Sequence, residues 1–102
     1  MKKTKYIWLD GKFLLWNKAK VHFLTHSLHY GSGVFEGIRF YKTKQGPAIF
    51  RLKDHLDRLL NSAKIFSIKI QYTKDYLEKV IKQLIKKNRL ESGYIRPLAF
   101  LG

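Results

Sequence analysis

Cysteine is absent from the 102 residues, which excludes disulfide frameworks, zinc-thiolate sites and thiol nucleophiles and removes any sign of an oxidising compartment. A cytoplasmic location is the expectation. Acidic residues are scarce too: seven Asp and Glu face 21 Lys and Arg, for a formal charge of +14. No run of about 18 apolar residues occurs, so no stretch is long enough to cross a membrane as a helix. Met1-Lys2-Lys3 opens like the basic region of a secretory signal, but Lys5, Asp10 and Lys12 interrupt the chain before an apolar segment can form. Repeats and low-complexity tracts are also missing.

The residues that are present suffice for one core. Apolar residues make up 45% of the chain, with nine isoleucines and fifteen aromatics, and a chain of this size removes roughly 60 to 70% of its unfolded surface from water on folding. The charge raises the question of nucleic acid, which basic proteins bind by neutralising phosphates. That needs a localised patch. The sixteen lysines are scattered from Lys2 to Lys87, densest at Lys79, Lys82, Lys86 and Lys87, and read as a solvated surface rather than a nucleic-acid site.

Asp10-Gly11 suits a tight hairpin turn between strands at residues 5–10 and 12–16. A loop or helical turn over residues 17–24 leads into Gly31-Ser32-Gly33, then a strand over residues 34–42, a turn at 43–47 and a strand at 48–52. Leu52, Leu56, Leu59, Leu60 and Ala63 recur at helical spacing and predict an amphipathic helix over residues 53–66, with His55, Arg58 and Ser62 on another face. A second helix starts at Thr73 as its N-cap, buries Leu77, Val80, Ile81, Leu84 and Ile85, and stops near Asn88. Residues 94–101 read as a strand with Tyr94, Arg96, Leu98 and Phe100 on one face, which Pro97 restricts to an edge or an interrupted ladder. Hairpins with two helices inserted before the final strand describe an α+β fold: a mostly antiparallel sheet with two helices packed on it. The chain stops at Phe100-Leu101-Gly102 with no polar tail, which suggests a truncated end.

Chemistry concentrates at the glycine-broken turn around residues 30–37 and at the arginines beside it. No nucleotide-binding fingerprint is present, since a GxGxxG run between a strand and a helix is missing. His22, His26 and His29 are spaced four and three apart, but metal ligation would need helical geometry and a supporting carboxylate, and no metal is expected. Tyr94 and Arg96, two apart on a strand, turn to one face and could converge on a carboxylate. Glu36 and Arg39 fall on opposite faces of their strand and read as structural, with Glu36 pairing a lysine or the backbone.

His29, Tyr30, Gly31, Phe35, Glu36, Gly37, Ile38 and Arg39 follow the pattern His-Tyr-Gly-x-x-x-Phe-Glu-Gly-Ile-Arg. Further blocks come in order: Gly46-Pro47, Phe50-Arg51, His55-Leu56-Asp57-Arg58-Leu59, Ser62-Ala63-Lys64-Ile65 and Tyr94-Ile95-Arg96-Pro97-Leu98. Together they make the chain resemble the amino-terminal domain of the branched-chain amino acid aminotransferases, class IV enzymes that use pyridoxal 5'-phosphate. The resemblance implies the small amino-terminal domain of the fold-type IV pyridoxal-phosphate enzymes over residues 1–102. It implies amino-group transfer between leucine, isoleucine or valine and 2-oxoglutarate in a homo-oligomeric full-length protein, with amino acids and 2-oxo acids as partners.

The resemblance gives Arg58 the cofactor phosphate, a role suited to a planar guanidinium. It makes Phe35 a wall for the aliphatic side chain and Tyr30 a residue reaching a neighbouring subunit's site. Tyr94 would hold the substrate α-carboxylate and Arg96 the distal carboxylate of glutamate. The Schiff-base lysine belongs to the family's second, carboxy-terminal domain, and none of the lysines here matches it; Lys64 has no such role. No catalytic residue is therefore expected in this chain, which should be inert alone. The alternatives are a D-amino acid aminotransferase or aminodeoxychorismate lyase of the same fold group, and a non-catalytic basic remnant. Phe35-Glu36-Gly37 and Tyr94-Ile95-Arg96-Pro97 favour the branched-chain branch.

Overall fold

A computed structural model describes residues 4–26 and 30–101; His29 of the motif and of the histidine series lies outside them. Strands β1 (Tyr6–Leu9) and β2 (Lys12–Leu15) form the expected hairpin. Asp10 and Gly11 take positive φ values of 46° and 94°, the conformation a two-residue turn matching the strand twist demands. A single 3-10 turn, Trp16–Lys18, comes next.

The strand expected over residues 34–42 is two: β3 (Gly33–Phe35) and β4 (Ile38–Thr43). The segment after the helices divides likewise into β6 (Gly93–Ile95) and β7 (Leu98–Phe100), the interruption that Pro97 foreshadowed. The two breaks face each other. Phe35 pairs with Leu98 and Ile38 with Ile95, all antiparallel, so each strand skips two residues and the register carries through without a slip. Across the gap the Glu36 N–H donates to the Pro97 carbonyl at 3.1 Å. One ladder thus opens at Glu36-Gly37 and Arg96-Pro97 because proline supplies no N–H there. Strand β5 (Gly46–Ile49) covers the other edge of β4; it ends earlier than expected, since Leu52 already begins a helix.

Helix α1 (Leu52–Ile65) buries Leu52, Leu56, Leu59 and Ala63, and α2 (Lys74–Lys87) buries Val80, Ile81 and Ile85. Leu60, Leu77 and Leu84, expected in those stripes, are half-buried. Thr73 caps α2 as expected, its hydroxyl accepting from the Tyr76 N–H at 3.2 Å. The sheet contributes the alternate residues Val34, Ile38 and Phe40 to the same core, and Phe40, Ile38 and Leu56 are its largest fully enclosed side chains. Each such burial is worth about 1.5 to 3 kcal/mol. Glu36 sits in the same inward row.

Candidate functional site

The opened ladder gives three consecutive residues three different jobs. Phe35 faces outward and is more than half exposed. Glu36, next along, turns inward and is only 6% exposed. Gly37 turns outward again, and a Cβ there would collide with the Tyr94 hydroxyl and come within 2.8 Å of its Cζ. Only glycine leaves the space that the Tyr94 ring occupies.

On the outward side Phe35, Tyr94 and Arg96 form one group. The Arg96 Nη2 donates to the Tyr94 hydroxyl at 3.2 Å, and the guanidinium lies 4.5 Å from the Phe35 ring centroid and 5.7 Å from that of Tyr94. Guanidinium on aromatic faces is an attractive cation–π arrangement. Tyr94 and Arg96 do lie side by side, although Arg96 falls in the break after β6 rather than on a strand, and Phe35 joins them. The group is an open face. A groove of about 550 Å3 lies elsewhere, between the β4–β5 turn and α2, bordered by Lys42, Pro47, Lys82 and Leu90. Tyr30 is three-quarters exposed, its ring centroid 4.6 Å from that of His26.

On the inward side Glu36 meets α1, and its partners are neither a lysine nor the backbone. Arg58 Nε donates to both carboxylate oxygens at 3.0 Å, Arg58 Nη2 donates to Oε1 at 2.8 Å, and His55 Nδ1 lies 2.9 Å from Oε1. Because an ionised carboxylate only accepts, His55 Nδ1 is the donor. The spacing explains the convergence: His55 and Arg58 lie three apart on α1 and so share one face. The hydrogen bonds from Arg58 hold the Glu36 carboxyl below the usual carboxylate range against the opposing push of burial, with His55 adding to the effect. The same bond raises the pKa of Arg58. Sequence reasoning gives Glu36 a structural role with the wrong partner and leaves His55 without a role; the available signal was a lone acid in an inward strand row paired with a His-x-x-Arg helix face.

Among the described residues the ion pairs of lysines, Lys42 with Glu91 at 3.2 Å and Lys74 with Asp57 at 3.0 Å, involve none of this group. His26 Nδ1 lies 2.7 Å from the Ser32 hydroxyl, and His22 Nδ1 accepts from the Leu24 N–H at 3.0 Å. Among the described residues no cluster of His, Asp or Glu is arranged to hold a metal ion.

Residues 33–102 match the family described as amino-transferase class IV. The chain belongs to that family. It is 51% identical over 96 residues to the branched-chain-amino-acid aminotransferase of Pseudomonas aeruginosa, covering 94% of this chain and 31% of that protein. To the Escherichia coli K12 enzyme of the same name it is 48% identical over 101 residues, covering 99% and 33%. This class IV aminotransferase chain thus spans about a third of the length of the curated relatives it matches. Among solved structures, the T.th. branched-chain amino acid aminotransferase complexed with N-(5'-phosphopyridoxyl)-L-glutamate superposes with a TM-score of 0.96 at 48% identity, over 100% of this chain and 34% of that one. The α+β architecture is that of the branched-chain aminotransferases of fold type IV.

Proposed function

We propose that this chain is the amino-terminal domain, residues 1–102, of a homo-oligomeric cytoplasmic enzyme exchanging amino groups between leucine, isoleucine or valine and 2-oxoglutarate. The observation that carries the reading is the triplet Phe35-Glu36-Gly37, which places an aromatic wall, an anchored arginine and a seated tyrosine at one break in one strand. The names of the relatives and the phosphopyridoxyl-glutamate ligand of one of them support the substrates and the cofactor.

Arg58 fits a phosphate. Glu36 occupies its Nε and one Nη2 hydrogen, which leaves both Nη1 hydrogens without a partner among the described residues in a side chain 70% exposed. A guanidinium with a free fork suits two phosphate oxygens. Pyridoxal 5'-phosphate, when bound, supplies the electron sink that lets an amino group pass between carbon skeletons.

The chain's own residues bind and orient. Phe35 offers an apolar surface to an aliphatic side chain, while the Tyr94 hydroxyl and Arg96 guanidinium offer donors to carboxylates. Apolar wall and peripheral cation together accommodate both leucine and glutamate. Tyr30, with Phe23 and Leu24, each more than 70% exposed, supplies apolar surface suited to cover by another subunit or domain. The covalent work on the cofactor falls to a lysine of a second, carboxy-terminal domain.

The test is a substrate panel on the protein as its gene encodes it. L-Leucine with 2-oxoglutarate should give glutamate, and D-alanine should not serve; the reverse pattern refutes the branched-chain reading. The purified 102-residue chain should be inactive, and leucine-dependent glutamate formation by it would overturn the assignment of the lysine elsewhere.

A further inference from the structure

A buried carboxylate in an apolar row is expensive. Val34, Glu36, Ile38 and Phe40 alternate inward along the opened ladder, and all four are buried. A leucine at position 36 would fill the row without any desolvated charge, and replacing buried ion pairs by apolar side chains is often neutral or stabilising. The fold therefore gives a weak account of why an acid stands there, and the contacts of Glu36 give a better one. All of its side-chain bonds run to one helix face: its Oε1 accepts from His55 and twice from Arg58, and its Oε2 once more from Arg58. His55 is itself mostly buried, at 18%, and fixes the rotation of the carboxylate. Arg58 is the exposed member, its side chain 70% exposed.

We infer that Glu36 is a positioning residue for the phosphate of the cofactor, holding the Arg58 guanidinium in a fixed plane from below so that its Nη1 edge faces outward ready-made. The inference rests on the reading of Arg58 as the phosphate ligand. An exposed arginine on an amphipathic helix otherwise samples many rotamers, and ordering it on binding subtracts from affinity. Anchoring the Nε edge to a buried carboxylate places that ordering in the folded state beforehand. The arrangement has an electrostatic drawback, since the carboxylate cancels much of the positive charge a phosphate would meet. Charge and geometry therefore predict opposite signs. If only charge mattered, Glu36→Gln would tighten phosphate binding; if position matters, it weakens it.

The experiment measures dissociation constants of pyridoxal 5'-phosphate and of pyridoxal, which lacks the phosphate, for the protein as its gene encodes it. The pyridoxal constant divided by the pyridoxal 5'-phosphate constant isolates the phosphate contact from folding and from the rest of the site. Arg58→Ala should collapse the ratio, and an unchanged ratio would remove the reading of Arg58 itself. With that reading standing, Glu36→Gln is expected to lower the ratio about tenfold or more and to have no further effect in the Arg58→Ala background. A Glu36→Gln ratio equal to or above that of the wild type overturns the inference while leaving Arg58 in place. Glu36→Asp keeps the charge but draws it back by one methylene and serves as the second variant should glutamine not be tolerated. Its ratio should fall as well, and a wild-type ratio would overturn the inference equally.

Discussion

Gly37 is the residue whose smallness has the most direct geometric consequence. A methyl group there overlaps the Tyr94 hydroxyl, and because the Tyr94 ring is about half exposed it can swing aside. Gly37→Ala is therefore expected to cost only about 1 kcal/mol, the low end for overpacking, while separating Tyr94 from Arg96. Urea unfolding checks the first effect and the Tyr94 ring resonances the second; unchanged ring signals would contradict the crowding. Glu36 makes a pH prediction. Its carboxyl is held below the usual value chiefly by Arg58, then by His55, so the fold favours its ionised form. That contribution is fully present above the unfolded glutamate pKa of about 4.3 and is lost as the pH falls from there through the lower folded value. Stability of the wild type should thus drop more steeply below pH ~4.3 than that of Glu36→Gln, and parallel curves in denaturant melts would contradict the pair.

Both helices end in the same device. After α1, the Ile68 N–H donates to Ala63 and the Ser67 N–H to Lys64; after α2, Leu90 donates to Ile85 and Arg89 to Lys86. These are the crossed bonds of a Schellman motif, whose left-handed position usually holds glycine. Here Ser67 and Arg89 stand there with φ of 58° and 54°, a conformation that strains a side-chain-bearing residue. Ser67→Gly and Arg89→Gly are each expected to stabilise by about 0.5 to 1 kcal/mol, seen as a higher urea midpoint; a lower midpoint for both would contradict the strain. The cap residue before Arg89 has a second task that no helix signal carried. The Asn88 side chain accepts from the Tyr6 N–H at 2.8 Å and donates to the Tyr6 carbonyl at 3.1 Å, clasping the first hairpin to α2. Helices and hairpin turns were legible because their cues are local: apolar period, Thr73, Asp10-Gly11. The division of the strand over residues 34–42 into β3 and β4 was not, since a β-branched and aromatic run looks the same whether or not its distant partner strand contains a proline.

Over the whole molecule the charge of +14 is a surface property. Lysines flank the groove beside α2 and stack on aromatics, as Lys87 does at 4.5 Å from the Tyr6 ring. With no lysine in the group around Phe35, this charge should yield only non-specific attraction to duplex DNA, weaker than about 10⁻⁶ M at physiological salt and falling steeply as salt rises. Titration over a salt series measures it, and tight, salt-tolerant binding would contradict this reading.

The sequence by itself determined the family, the two amphipathic helices and the α+β class, because spacing along a single element dictates which side chains share a face. Only the tertiary structure decided what surrounds Glu36 and what Gly37 is for. His55 and Arg58 stand 19 and 22 residues from Glu36, and Tyr94 stands farther still from Gly37. No periodicity relates residues on different elements; the packing of α1 on the inward row and the opening of one ladder opposite Pro97 bring them together.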